Sequence, residues 1–299
     1  MHSKINYIDY SKDKVEKYRR PKAYPYFLIR NGKPYRMPRS KIIFLLGIHL
    51  ITLVYLVLKV YHASNKVKYL WMILIGILLT DFLSSLAHAV SDIRKSEGYT
   101  RRPDFKGKKI KVTTLHHIDV LDMLDCTSSE LLSWVFHVGL DKTIYAAFLL
   151  AILDLRFGFK WDFSYLIMIL FTVNCFMMHQ EYFHGLIHVY HHHGKIPKSV
   201  QKLYDWKLLA YPEYHKQHHT VSNQNWGVFI GLFDPLIKLF YPTKYVEHIK
   251  PAQINDKSDD RLCIPSLGGY WKNVSKDLYH DRKYTREAGW GYCHPSQKK

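Results

Sequence analysis

The residues whose chemistry is clearest are histidines. His215-x-x-His218-His219 and His184-x-x-x-His188 set imidazoles three and four positions apart. On a helix that spacing puts them on one face. Imidazole is the commonest metal ligand among side chains, and neutral histidine fills cores poorly. Nineteen of the 299 residues are histidine, so clusters of this density point to metal rather than to packing. His116-His117, with Asp119 close behind, forms a third group. His88, with Asp92 four residues on, forms a fourth; carboxylates commonly orient or join histidine ligands. His188-x-x-His191-His192 repeats the HxxHH spacing, so His191, His192 and His193, together with His179, are open as ligands or as helix-end residues. His2, His49, His62, His137, His248, His280 and His294 read as background.

Eight histidines are well placed: His88, His116, His117, His184, His188, His215, His218 and His219. That is enough for two metal ions. A closed structural zinc site needs four ligands, often cysteines. Histidine-rich sites with open positions suit iron that handles oxygen. The four cysteines, at 126, 175, 263 and 293, form no CxxC pair and read as reduced thiols.

The elements that must carry these residues are apolar. Mean hydropathy is −0.20, but the apolar residues are segregated into Ile42–Tyr61, Leu70–Val90 and Phe163–Met178, with a weaker stretch at Leu131–Leu155 that Asp141-Lys142 interrupts. About 20 apolar residues cross a bilayer core of roughly 30 Å, and Ile42–Tyr61 lacks the polar stripe of a soluble surface helix. The expected fold is all-α, a polytopic membrane bundle of about four spans with a cytosolic histidine-rich cap. Its expected divisions are a basic segment 1–41, a membrane domain 42–240 and a polar tail 241–299. Met1–Lys41 is too polar for a cleavable signal peptide, so the first span would serve as the membrane signal.

Lysine and arginine set the orientation. Residues 1–41 carry twelve, 62–69 two, 94–111 eight and 156–162 two. Four spans with both termini cytosolic give that alternation. The formal charge of +18 then reads as cytosolic flank facing anionic headgroups. With no zinc-finger or RNA-binding spacing, nucleic acid is not an expected partner. At about 1.5 Å per residue, His88 and His184 both reach the cytosolic ends of their spans. His116-His117 and His215 to His219 follow on that same side. Asp81 lies within an apolar span, where charge is costly; it would pair with a histidine or hold a structural hydrogen bond.

The motifs resemble the Kua family, a branch of the membrane histidine-box desaturases. DFLSSLAHAVSD (Asp81–Asp92) resembles its DFxSGxxHWxxD pattern, and HHID (His116–Asp119) its HHxDP box. HGLIH (His184–His188) resembles its HxxxH box, DWKLLAYPEYHKQHH (Asp205–His219) its DW-x8-HxxHH segment, and GLFDPL (Gly231–Leu236) its closing motif. The likeness covers roughly residues 70–240. Glu130 fits the family's HDFxExN segment, but Cys126 stands where that segment has histidine and Leu132 where it has asparagine. Asp122, Asp125 and His137 are nearby donors that could substitute.

The resemblance implies an oxygen-dependent lipid desaturase with two iron ions held by the eight histidines. Asp92, Asp119 and Glu130 would be supporting or occasional ligands at the catalytic centre. It implies an ether phospholipid substrate, and external electrons from a cytochrome b5-type or ferredoxin donor, since no haem or flavin motif is present. It fits residence in the endoplasmic reticulum. A fatty-acyl desaturase or lipid hydroxylase is the nearest alternative. A zinc transporter or a catalytically silent metal-binding relative is the alternative from another class.

Overall fold

A computed structural model describes residues 37–92, 116–117, 140–157, 163–180, 183–188 and 198–241, together with the backbone of the remaining helical residues and of several short strands. The chain is mostly helical. Four long helices make a bundle: α1 (Arg39–His62), α2 (Val67–Ile93), α3 (Asp141–Phe157) and α4 (Ser164–His193). Three short helices follow: α5 (Lys198–Asp205), α6 (Pro212–Thr220) and α7 (Asp234–Phe240).

Among the described residues, three helices are long and apolar enough to cross a membrane: Arg39–His62, Val67–Asp92 and Ser164–His188. The outer face of α1 supports a lipid environment. Ile43, Leu50 and Val57 recur every two turns and are 69%, 60% and 58% exposed, while Leu45, Ile48 and Tyr55 turn inward. In water, such a stripe would be an unusually large apolar patch. The weaker stretch at Leu131–Leu155 differs from expectation. Helix α3 begins at Asp141, so the charged pair read as an interruption is the start of a 17-residue helix. An acidic first turn complements the helix dipole, and Asp141 also bonds Lys41 of α1 at 3.2 Å.

Helix α4 touches each of the other three. Helices α2 and α4 run parallel: Tyr69 meets Ser164 at 2.6 Å, Gly76 abuts Thr172, and His88 lies beside His184. Helices α1 and α3 are also parallel, since Lys41 meets Asp141 and Tyr55 donates to Asp154 at 2.7 Å. Small residues allow the α2–α4 approach. A Cβ on Gly76 would stand 2.7 Å from Thr172 Cβ, as at other close intramembrane crossings. The hydroxyls of Thr52, Thr80 and Thr172 each donate to the carbonyl four residues back, satisfying polar groups where no water is at hand.

Short strand pairs accompany the helices. Asn6–Asp9 pairs in parallel with Glu247–Lys250, and Lys14–Val15 with Gln253–Ile254. Antiparallel pairs join Ile29–Arg30 to Lys33–Pro34, Arg101–Pro103 to Lys109–Lys111, and Lys195–Pro197 to Leu278–His280. These segments lie in or beside polar stretches, where no hydrophobic periodicity of either kind marks them.

Candidate metal centre

The site is assembled at one end of the bundle, from the last turns of α2 and α4, the turn at His116–His117, and α6. Each element contributes by simple helical geometry. His88 and Asp92 share a face of α2; His184 and His188 share a face of α4. Helix α6 starts where it does because Pro212 occupies its first turn, with Tyr211 extended before it. That start sets His215 and His219 on one face and His218 beside them.

All eight expected histidines converge, and they divide into two groups. His116, His184, His188, His215 and His219 form one; His88, Asp92, His117 and His218 form the other. Within each group the ligand atoms lie within 4.8 Å of one another. Adjacent residues on a helical turn point in different directions, which is why His116 and His117 serve different groups. Likewise His218 leaves the group that holds His215 and His219. Among the described residues His184 and His188 stand in the first group, while the side chains of His191, His192 and His193 lie outside the described residues. His179 turns away and bonds the Cys175 carbonyl at 2.7 Å. Asp119, Cys126, Glu130 and His137 also lie outside the described residues.

The donor set fits metal ions. Nε2 of His215 stands 2.8 Å from Nε2 of His184 and 3.0 Å from that of His219, and His116 and His184 approach at 3.2 Å. Two nitrogens bound at right angles to one ion, each about 2.1 Å from it, are about 3.0 Å apart. In the second group Nε2 of His218 is 3.2 Å from that of His88 and 3.4 Å from Asp92 Oδ2. His117 Nε2 is 4.0 Å from Asp92 Oδ1. The first group offers only imidazoles; the second adds a carboxylate.

Burial sets the protonation state. His215, His218 and His219 have no solvent exposure, and His116 has 4%. Their pKa values are held well below the usual 6.5, chiefly by burial and then by neighbouring imidazoles. A neutral imidazole can bind a cation without first losing a proton.

Outer partners orient two of the rings. Nδ1–H of His88 donates to the Trp226 carbonyl and Nδ1–H of His218 to the Gln224 carbonyl, each at 2.9 Å. A carbonyl can only accept, so the proton must sit on Nδ1 and the Nε2 lone pair faces the cluster. The segment supplying these carbonyls is fixed in turn. Trp226 is fully buried, donates its indole N–H to Ser222 O at 3.0 Å and stacks on Tyr241. Asn225 adopts a left-handed conformation (φ 58°), which asparagine tolerates, and donates to Tyr214 O and Gln217 Oε1. Asp234 accepts from Gly227 N at 2.9 Å and from the Tyr214 hydroxyl at 2.8 Å.

Among the described residues, Asp81 meets backbone and no histidine. Its two oxygens accept from three successive backbone N–H groups, those of Ile230, Gly231 and Leu232, each at 2.9 Å. The structural hydrogen bond is therefore the outcome of the two expected for it. Sequence reasoning missed Gln224, Trp226, Tyr214 and Asp234; the signals that could have pointed to Trp226 and Asp234 are an aromatic beside glycine and the Asp-Pro that opens α7. An apolar cavity of about 390 Å³, lined by Leu56, Val60, Lys66 and Phe171 among others, lies at the opposite end of the bundle and is separate from the histidines.

No protein-family model, no curated protein and no solved structure matches the chain.

Proposed function

We propose that the protein is a membrane-bound di-iron lipid desaturase, with a plasmanylethanolamine desaturase activity that forms the vinyl ether of plasmalogens. One observation carries this reading: two adjacent, buried, histidine-rich groups at one end of a bundle whose helices are long and apolar enough for a membrane. Five imidazoles around one point exceed the four ligands of a closed zinc site, and a mixed histidine–carboxylate partner beside them suits iron. The resemblance of the Asp81–Asp92 and Asp205–His219 segments to the Kua motifs supports the lipid class.

In this reading α3 is the third of four spans. The basic segments before α1 and between α2 and α3 support a cytosolic cap for the histidines, and the endoplasmic reticulum is the expected compartment. Bound iron would supply oxygen activation; overall, the alkyl chain loses two hydrogens and O2 is reduced to water with two electrons from an external donor. The chain's own contribution is positional. His116, His184, His188, His215 and His219 would hold one ion, and His88, His117 and His218 with Asp92 the other. The carbonyls of Gln224 and Trp226 keep the His218 and His88 rings turned toward the cluster. Burial of the cluster limits water at the reacting carbon, and helices α2 and α4 carry the site up to the level where a lipid chain begins. Fixing the chain in one pose determines which carbon reacts.

Expression in cells lacking plasmalogens tests the proposal. Vinyl ether lipids should appear, and the purified protein should hold on the order of two iron ions, one per group. Zinc alone, with no oxygen-dependent product, would overturn the reading. A product that has gained one oxygen would place the protein among the hydroxylases instead.

A further inference from the structure

The segment after α6 raises a physical problem. Its backbone and its apolar side chains lie at the depth of the membrane, although the chain has already left the last long helix. Lys66 and Lys68 mark one boundary of α2. Counting from Tyr69 at about 1.5 Å per residue, Asp81 lies about 18 Å along, Phe82 about 20 Å and Ala89 about 30 Å. The hydrocarbon core is itself about 30 Å thick. The amides of Ile230, Gly231 and Leu232 bond Asp81, so they sit well below the histidine-side boundary. Phe233 packs on Phe82 with ring centres 5.5 Å apart, and Ile237 joins Ala89 and Trp226 in one cluster. Helix α4 gives the same depth independently. Phe229 touches Phe176 and Phe183, which lie about 18 and 28 Å along from Ser164.

The side chains agree with this depth. Helix α7 buries Asp234 and Ile237, with Tyr241 following on that face. It turns Leu236, Leu239 and Phe240, spaced i, i+3 and i+4, outward. These are 46%, 78% and 79% exposed, and Leu232 before them is 59% exposed. Those values match the outward stripe of α1. The surface continues the outer surface of α2, where Leu83, Leu86 and Val90 are exposed.

We propose that residues 228–240 form a re-entrant segment seated in the leaflet at the histidine end of the bundle, with membrane lipid as the partner of its outer face. Asp81 makes that possible. Non-helical backbone at membrane depth must have its N–H groups satisfied by protein, and one carboxylate satisfies three in succession. The acidic residue inside an apolar span is thereby explained without a proton or metal role. The close approach of the two loop glycines serves the same compactness: a Cβ on Gly227 would collide with Gly231 Cα, and Gly231 has φ +74°. Because the preceding residues hold His88 and His218, the lipid-facing segment and the metal centre share one short stretch of chain.

The proposal depends on the spans and not on metal, and photocrosslinking in phospholipid vesicles separates the two. Full-length protein would carry p-benzoylphenylalanine in place of Phe240, of Leu50 on the α1 stripe, or of the exposed Ser199 on α5. After irradiation, the Phe240 and Leu50 variants should each gain the mass of one phospholipid, and the Ser199 variant should not. An adduct at 50 with none at 240 overturns the re-entrant segment while leaving the spans intact. No adduct at 50 overturns both. Crosslinking of 240 to a second copy of the chain overturns it in favour of a protein interface. In Asp81→Asn the amides of residues 230–232 should lose hydrogen-exchange protection, measured as a faster deuterium uptake of that peptide. Unchanged protection would overturn the anchoring role of Asp81.

Discussion

At the residue scale, the imidazoles are not equivalent, and substitutions should show it. His215 stands between His184 and His219 in the all-imidazole group, whereas His218 belongs with His88, His117 and Asp92. His218→Ala and His219→Ala should each abolish the proposed desaturation while the protein stays in the membrane; wild-type turnover in either would contradict the assignment. Metal analysis should distinguish them, with His218→Ala losing the ion of the mixed group first. Protonation gives a second expectation. His116, His215, His218 and His219 have folded-state pKa values below the ordinary 6.5. Their contribution to stability is complete above pH 6.5. It is lost as pH falls below that value, because the unfolded chain then binds protons that the folded chain refuses. The thermal midpoint of metal-free protein in detergent should therefore fall between pH 7.5 and 5.5. A flat profile would mean these rings are not buried and neutral.

At the scale of elements, the α2–α4 pair is the frame. Its parallel packing brings His88 beside His184, and it depends on a glycine. Gly76→Leu should force the helices apart against Thr172, costing about 1–3 kcal/mol and lowering the melting temperature. Gly47, which has nothing within 4 Å of a built Cβ, should tolerate the same change. Removing the Asp81 carboxylate with Asp81→Ala orphans three amides, at about 1–3 kcal/mol for each that finds no other partner. That variant should melt well below wild type, and its loss should exceed that of Gly76→Leu. How far these elements were legible in sequence varied with the kind of signal. Run length identified α1, α2 and α4. Helix α3 was blurred because Asp141-Lys142 looks like a break, although a charged residue also starts a helix well. The role of the Gln224 and Trp226 carbonyls had no sequence signal, since every residue carries the same backbone acceptor.

At the scale of the whole molecule, two hairpins are laid side by side so that their histidine-bearing ends coincide. The turn at Ala63–Lys66 and the start of α4 close the opposite end. Membrane-impermeant labelling should therefore separate a cysteine at Ala63 from one at Thr220, the two reacting from opposite faces. Reaction of both from one face would dismantle the bundle's proposed orientation.

The sequence alone determined which residues could bind metal and which segments could cross a membrane, because both properties follow from local spacing: i, i+3 and i+4 for ligands, and about 20 apolar residues for a span. From the alternation of lysine and arginine, every ligand group is expected on one side of the membrane. Only the tertiary structure decided how the eight imidazoles divide into five and three, that Asp92 joins the three, and that Asp81 holds backbone rather than histidine. These are contacts between segments separated by up to about 150 residues. No local pattern encodes them; they exist only once the parallel packing of α2 and α4 has fixed where each side chain ends.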